Sequence, residues 1–447
     1  MKKNIAILSF LLSVSSVCAQ MTTAPIGQDD TLSSIVLNGV SWYDQRGETV
    51  SAHGANIIRD GDKYYLFGEY KTDSANVFTG FSCYSSTDLA DWHFEGIAFS
   101  RQADGRMGPN RVGERPKVLR CPATGEYVML MHTDNLQYRD PCTCYATSRT
   151  VTGPYEFRGP LLYKGVPVKR WDIGSFVDDD GHAYLLVHHG SIYRLSADFH
   201  SLDSCMVSGV RGVGESPAML KKDGLYYWLS SHTTSWERND NMYFTSPSLT
   251  GPWEYRGEFC PKGSLTWNSQ CSFVLPLDDE RFMYMGDRWS FPRQRSAATY
   301  VWLPLQVEDG RMSISDYIEV WNPQTYQQAD IDCKHLGTSW KGEKPGERMT
   351  VSFNGSRLIL YGVTDDQSCY ADVVICDKRG RCVFKGTVDF YSNTPAQGIR
   401  FISPHFPTGS YTAEICVSDM KPNWTDKSRK LFGSKGYKVE ITDIGYY

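Results

Sequence analysis

The chain has 447 residues, 51 acidic against 46 basic side chains, and a formal net charge of −5, so it carries no basic surplus for nucleic acid or an anionic membrane. Its length leaves room for two or three domains, and its composition suits a secreted, soluble protein with a neutral partner.

In chain order the first expected element is a leader. Lys2 and Lys3 precede the apolar run Ile5 to Val17, and Val17-Cys18-Ala19 suits a signal peptidase site before Gln20, giving a signal peptide over 1–19. The run is too short to span a bilayer. A lipoprotein reading of Cys18 competes, against which Val17 is a poor fit to the small residue expected before a lipidated cysteine. Removing this leader, which holds two lysines and no acid, takes the formal charge from −5 to −7. The expected destination is periplasmic or extracellular, the periplasm where the source has an outer membrane.

A strand-pair pattern then recurs five times. Its first strands read Gly54-Ala55-Asn56-Ile57-Ile58, Glu114-Arg115-Pro116-Lys117-Val118, Asp172-Ile173-Gly174-Ser175-Phe176, Glu215-Ser216-Pro217-Ala218-Met219 and Gln270-Cys271-Ser272-Phe273-Val274. Each runs through a turn into an aromatic-rich strand such as Tyr64-Tyr65-Leu66-Phe67 or Tyr226-Tyr227-Trp228-Leu229. An outer half repeats as well, since Thr152-Gly153-Pro154-Tyr155-Glu156-Phe157-Arg158-Gly159 and Thr250-Gly251-Pro252-Trp253-Glu254-Tyr255-Arg256-Gly257 match closely. Asp60-Gly61-Asp62, Asp179-Asp180-Gly181 and Asp223-Gly224 stand where hairpin turns belong. Four strands per unit, spaced like propeller blades, predict an all-β chain with a five-bladed β-propeller over residues 36–320.

After Trp321-Asn322-Pro323 the pattern changes to short alternating strands, among them Arg357-Leu358-Ile359-Leu360-Tyr361 and Tyr437-Lys438-Val439-Glu440-Ile441, which predict a C-terminal β-sandwich over residues 325–447. Trp340 or Trp424 would be a sugar platform if this part binds carbohydrate; a purely structural role is the commoner case for scattered aromatics. The 13 cysteines include no pair of CxxC motifs with zinc spacing, and most are read as small buried hydrophobes with their pairing left open.

In a propeller the starts of the innermost strands converge at one end of the axis. Glu114, Asp172, Glu215 and Gln270 should therefore face one another across a pocket. Convergent carboxylates with a neutral partner point to glycosidic bond cleavage, which needs a protonated carboxyl for the leaving oxygen and a second group to handle water. Desolvation and neighbouring charge would raise one carboxyl to serve as the acid. An isolated Glu more often pairs with an Arg, for which Arg115 or Arg211 would serve, but repetition at one offset favours a shared site. For Asp172 the structural and functional readings are nearly balanced, since Asp178-Asp179-Asp180 is plainly a turn cluster.

These residues resemble glycoside hydrolase family 43, inverting enzymes on five-bladed propellers. The resemblance rests on the blade spacing, on Asp172 with Ser175-Phe176-Val177-Asp178-Asp179-Asp180-Gly181, and on Gly214-Glu215-Ser216-Pro217. It implies that Glu215 is the general acid and that Asp172 orients it. It also implies an Asp base at the start of the first-blade strand, where this chain has Gly54. Phe67-Gly68-Glu69, Gly113-Glu114-Arg115-Pro116 and Trp267-Asn268-Ser269-Gln270 resemble the exo-β-1,3-galactanase branch, which lacks that base. By this resemblance Gln270 holds the water and acts as an unusual base, while Glu114, Glu69 and Tyr138 grip the terminal galactose. Glu114 as the base is the open alternative.

Trp171, Trp236, Trp267 and Trp289 stand near inner-strand ends, where an indole suits either a pyranose face or ordinary packing. Thr233, Thr234, Asn268 and Arg288 are candidate hydroxyl partners, and His53 either lines the funnel or holds a structural water. No constellation demands a catalytic metal or cofactor, leaving at most a structural calcium at the axis. The expected activity is that of an inverting exo-glycosidase releasing galactose from β-1,3-galactan, such as an arabinogalactan backbone, and acting as a monomer. The alternatives are a galactofuranosidase, arabinofuranosidase or β-xylosidase on the same scaffold, and a carbohydrate-binding propeller that has lost hydrolysis.

Overall fold

The computed structural model describes residues 32, 34–425 and 429–447, so the expected signal peptide and Cys18 lie outside the described residues. Strands are the dominant regular structure among the described residues, beside one four-residue α-helix at Gln294–Ala297 and short 3-10 turns at Gly105–Met107 and Leu265–Asn268. No helix among the described residues is long and apolar enough to cross a membrane.

Five antiparallel meanders follow one another along the chain. They begin with the strands His53–Asp60, Arg111–Arg120, Ile173–Val177, Glu215–Lys222 and Gln270–Pro276. Four of the sheets have four strands; the third is widened to six by Leu162–Tyr163 and Val166–Pro167. Turn chemistry explains the hairpins. In the fourth sheet Lys222 pairs with Leu225 across Asp223 and Gly224, at φ 51° and 75°, the left-handed pair that suits the twist of a two-residue hairpin.

The first strand of each sheet lies against the first strand of the next, and that of the fifth lies against that of the first. Polar bonds tie these contacts. The Val118 amide donates to Asn56 Oδ1 at 2.8 Å, and Lys117, fully buried, donates from Nζ to the carbonyls of Gly54, Ala55 and Ser272 at 2.8, 2.6 and 3.0 Å. One ammonium thus joins the first, second and fifth strands of the ring, and its three donors meet three acceptors. Burial and the like charge of Arg115 push the Lys117 amine below its ordinary value.

Apolar faces pack between neighbouring sheets, as where Leu229 and Tyr227 of the fourth meet Val301 and Leu303 of the fifth. Beyond the fifth sheet, Val36–Leu37 pairs with Val320–Asn322, bringing the start of the described chain against the end of the repeats. Two further sheets follow, one built on Arg348–Gly355, Gly409–Val417, Tyr370–Asp377 and Cys382–Asp389, the other on Val439–Tyr446, Leu358–Thr364 and Ala396–Ile402. Residues of both, including Val373, Ile415, Leu360 and Ile441, share one hydrophobic core. The twelve cysteines among the described residues are all free thiols, and seven are buried.

The inner strands approach so closely that a side chain does not fit at Gly174, where a Cβ would lie 2.0 Å from the Pro217 carbonyl oxygen. Gly174→Ala must push the third and fourth sheets apart, so its expected cost is about 3 kcal/mol, read from denaturant unfolding.

Candidate active site

The inner strands are bent by a repeated irregularity. In the first, second and fourth sheets, His53 faces Glu69, Glu114 faces His132, and Glu215 faces Ser231; the next paired residues are Asn56, Lys117 and Ala218. The residue after each site position is left-handed, at φ 65° for Gly54, 51° for Arg115 and 58° for Ser216. Such a bulge leaves a residue unpaired and re-aims its neighbour.

This register corrects one expectation: His53, rather than Gly54, is in line with Glu114 and Glu215. The alignment is set by cross-strand partners, His53 with Glu69 and Glu114 with His132, which the strand's own sequence does not record. Gly54 occupies the bulge itself, where a Cβ would stand 2.4 Å from Glu69 Oε1. His53 is fully buried, stacked 4.4 Å from Tyr300 between ring centroids, and burial pushes its imidazole down to about 3.

Arg115 organises the centre. Its Nε meets Asp172 Oδ2 at 2.9 Å, and its Nη2 donates to Ser216 Oγ at 2.6 Å and Gln270 Oε1 at 2.8 Å. Its Nη1 donates to the Cys271 carbonyl at 3.3 Å, and its backbone amide donates to Glu69 Oε1 at 3.0 Å. Arg115, 4% exposed, therefore reaches all five sheets: its guanidinium joins its own sheet to the fourth, the fifth and Asp172 at the start of the third, and its backbone amide reaches the first. Asp172 Oδ2 also accepts the amide and hydroxyl of Ser216, both at 3.0 Å, fixing the residue that follows Glu215.

Gln270 is oriented by chemistry. Its Oε1 accepts from Arg115 and from Trp289 Nε1 at 3.2 Å, groups that only donate, so its amide nitrogen must face the other way. That nitrogen donates to Glu215 Oε1 at 3.1 Å. Just upstream, Leu265, Thr266, Trp267 and Asn268 are all left-handed, with φ between 48° and 58°, a conformation costing about 1–2 kcal/mol per residue. Bonds from Asp240 and Asn241 hold this segment, as does Asn268, whose amide donates to Ser392 Oγ at 2.7 Å.

A second cluster surrounds Glu114. Its Oε1 accepts from Tyr138 Oη at 2.6 Å and Asn76 Nδ2 at 3.0 Å, and its Oε2 lies 3.2 Å from His132 Nδ1. The other His132 nitrogen lies 3.4 Å from Asp134 Oδ2. Burial opposes charge on His132, but the two carboxylates outweigh it and lift the imidazole to about 9. Burial likewise opposes charge on Glu114, yet His132, Lys71 and Tyr138 hold its carboxyl well below the usual range. Its surroundings thus favour the ionised, hydrogen-bond-accepting form. Glu69 differs: burial raises its carboxyl despite the ion pair with Lys71 at 2.5 Å.

The structure thus gathers Glu69, Glu114, Tyr138, Asp172, Glu215, Gln270 and Trp289 into one connected network. Thr233 and Thr234 are exposed on the loop that follows Ser231. Trp236 on the same loop packs against Trp424, and Arg288 donates to the Tyr391 carbonyl at 3.0 Å, so these side chains, like Asn268, meet the C-terminal sheets. Trp171 stacks on His188 at 3.8 Å, and Trp267 packs near Tyr317.

Sequence reading missed the roles of Lys71, Asn76, Lys117, His132 and Asp287. Asp287 pairs with Gln270 across the fifth sheet, accepts from the Gly54 amide at 2.9 Å, and is pushed up by burial. A usable signal lay in Arg115 and Lys117, two cations two residues apart in an expected inner strand. Glu114, His132 and Asp172 offer possible metal-ligand atoms within 4.8 Å of one another. Because both His132 nitrogens face carboxylates, a cation there would have to displace a firmly held proton.

The repeated sheets thus converge on a cluster of carboxylates and an oriented amide. A family model described as Glycosyl hydrolases family 43 matches residues 49–262. A solved structure from Bifidobacterium bifidum s17, provisionally named an exo-β-1,3-galactanase, is 36% identical, with 62% of this chain and 95% of that one covered and a TM-score of 0.58. An exo-β-1,3-galactanase from Phanerochaete chrysosporium, solved with galactose, is 27% identical over 92% of this chain and 100% of that one, with a TM-score of 0.68. A β-D-galactofuranosidase of Aspergillus niger is 28% identical over 211 residues, 42% of this chain; the chain spans 59% of that relative's length. The chain belongs to glycoside hydrolase family 43.

Two outcomes are expected. Arg115→Met leaves Asp172 without its buried cation and should cost about 3 kcal/mol or more in denaturant unfolding. His132 is raised above its unfolded value of 6.5, so its contribution is present below about 6.5 and lost as pH rises through about 9. Wild-type stability should accordingly fall across that window, and His132→Gln should flatten the fall when both are unfolded by denaturant at each pH.

Proposed function

We propose that the chain is an inverting exo-glycosidase that releases galactose from the end of β-1,3-galactan, such as an arabinogalactan backbone. The observation that carries this reading is the contact of Glu215 with Gln270, fixed by Arg115 and Trp289, within a family whose similar solved structures include exo-β-1,3-galactanases. In this proposal the five meanders are blades of a β-propeller over residues 36–320, and the two C-terminal sheets are a β-sandwich over 325–447. The protein works as a monomer after export to the periplasm or beyond, and needs no cofactor.

Glu215 gives its proton to the departing glycosidic oxygen as the bond to the anomeric carbon breaks, with Asp172 positioning it through Ser216. Water attacks the opposite face, held by a Gln270 N–H, since both lone-pair directions of the Gln270 oxygen are engaged by donors. Glu114, kept ionised by His132, accepts hydroxyl protons from the terminal sugar, with Tyr138 and Glu69 beside it. Two groups stand as acceptors of the water's proton: Glu114, and the nitrogen of Gln270 in an imidic tautomer, whose oxygen then carries the displaced amide proton and gives up one of its two donors. A Glu114→Gln variant that keeps its rate removes Glu114 from that role.

The similarity to a β-D-galactofuranosidase supports a second reading, in which a furanose occupies the same pocket. Chromatography of products from β-1,3-galactooligosaccharides, galactofuranosides and a pentose panel separates the two. Galactose from the β-1,3 series, with a fall of about 10²–10⁴ in rate for Glu215→Ala, is expected. Release from furanosides or pentosides alone overturns the galactan reading. Release from no substrate overturns the galactan reading and puts the carbohydrate-binding alternative first.

A further inference from the structure

The strands Tyr370–Asp377 and Cys382–Asp389 form a hairpin in the first of the two C-terminal sheets, where Cys382–Asp389 is the last strand in order and pairs on one side only. The turn residues dictate its geometry. The Gly380 amide donates to the Asp377 carbonyl at 2.8 Å, the Asp377 amide donates to the Arg381 carbonyl at 2.9 Å, and Gly380 is left-handed at φ 76°. This is a three-residue loop closed by a glycine bulge. The Asp377 carboxylate reinforces it, accepting the amides of Arg379 and Arg381 at 2.9 and 3.0 Å.

Because Asp377 and Arg381 are bonded through their backbones, the next pair along the ladder is a non-hydrogen-bonded one, and it is Cys376 opposite Cys382. In such a pair the Cα atoms stand about 4.5 Å apart and the side chains leave the same face, inside the span of about 4.4–6.8 Å that a disulfide bridges. Burial raises the Cys376 thiol, and the Cys382 thiol beside it raises it further. Among the described residues no other strand register sets one cysteine opposite another. Cys142 and Cys144, two residues apart on one strand, stand roughly 6.8 Å apart by strand rise, at the far limit of that span. Both are also fully buried, whereas Cys382 is exposed and Cys376 half-buried, so an oxidant reaches the hairpin pair from solvent.

We propose that Cys376 and Cys382 are a site of oxidative modification, joined as a disulfide by an oxidant that itself carries a disulfide once the chain is in an oxidising compartment. The exposed Cys382 thiolate attacks one sulfur of the oxidant, forming a mixed disulfide and releasing the other sulfur as a thiol. The Cys376 thiolate then attacks the Cys382 sulfur, forming the Cys376–Cys382 bond and releasing the second thiol. The two cysteines lose two electrons and two protons in all, and the oxidant takes up both. Oxidation gives up only the weak bond of the Cys382 thiol to the Phe384 carbonyl at 3.3 Å. The bond fastens one end of the strand whose other end carries Asp389, the acceptor of Ser290 Oγ at 2.8 Å. None of this depends on which sugar the protein takes.

The test equilibrates the folded, reduced full chain with oxidised glutathione, blocks the remaining thiols by alkylation in denaturant, and maps tryptic peptides by mass spectrometry without reduction. Trypsin cuts at Lys378, Arg379 and Arg381, between the two cysteines, so the peptides carrying Cys376 and Cys382 should stay linked, lighter by two hydrogens than the separate pair, until a reductant parts them. Oxidised wild type should also melt about 3–5 °C above reduced wild type, while Cys376→Ser melts at one temperature with or without the oxidant. Alkylation of both cysteines overturns the inference, as does glutathione retained on Cys382 with Cys376 free, or linkage of either to a different cysteine. A linked pair with no rise in melting temperature marks a bond made only in the unfolded chain and overturns it as well.

Discussion

The buried Arg115 guanidinium is the interaction on which the centre of the molecule depends. Charge out of water costs several kcal/mol per ion unless its partners are well placed. Here Asp172 supplies the opposite charge, and Ser216, Gln270 and the Cys271 carbonyl take the remaining donors. Because those partners come from different sheets, the ion pair is satisfied only when the sheets are assembled. The same bonds aim Gln270 and hold the residue beside Glu215, so the site forms with the fold rather than after it. Lys117 reinforces this from two residues away, with its ammonium on carbonyls of the first and fifth inner strands.

The carboxylates near these cations are held in different protonation tendencies by their surroundings. Glu114 is kept ionised by an imidazolium, a tyrosine hydroxyl and an amide, all donating to it. Glu69 and Asp287 are raised by burial, with positive neighbours opposing the shift. A neutral sugar needs this mixture, because its hydroxyls are recognised by fixed acceptors and donors while proton transfer needs groups poised nearer neutrality.

Strain is concentrated beside this network. Four consecutive left-handed residues lead into Gln270, and left-handed Arg115 and Ser216 follow Glu114 and Glu215. Such conformations persist where surrounding bonds over-determine them. Part of that restraint comes from Ser392 and its neighbours, which ties the C-terminal sheets to the geometry of Gln270.

The sequence by itself determined the repeated strand pairs, their turns, and the convergence of Glu114, Asp172, Glu215 and Gln270, because alternation, Asp-Gly turns and a recurring offset are local patterns that survive in one dimension. It also made the change of pattern after Pro323 visible. The roles of His132, Lys71, Lys117 and Asp287 were not legible, since each is defined by partners on other strands. The position of Gly54 was misread by one residue because the cross-strand register that sets His53 opposite Glu69 is not written in the strand's own pattern. Tertiary structure alone decided that Arg115 joins five sheets, that Gln270 presents its nitrogen to Glu215, and that Asn268, Arg288 and Trp236 meet the C-terminal sheets. The physical reason is that hydrogen-bond direction and ion pairing depend on distances between segments far apart in the chain, which no periodicity within a segment records.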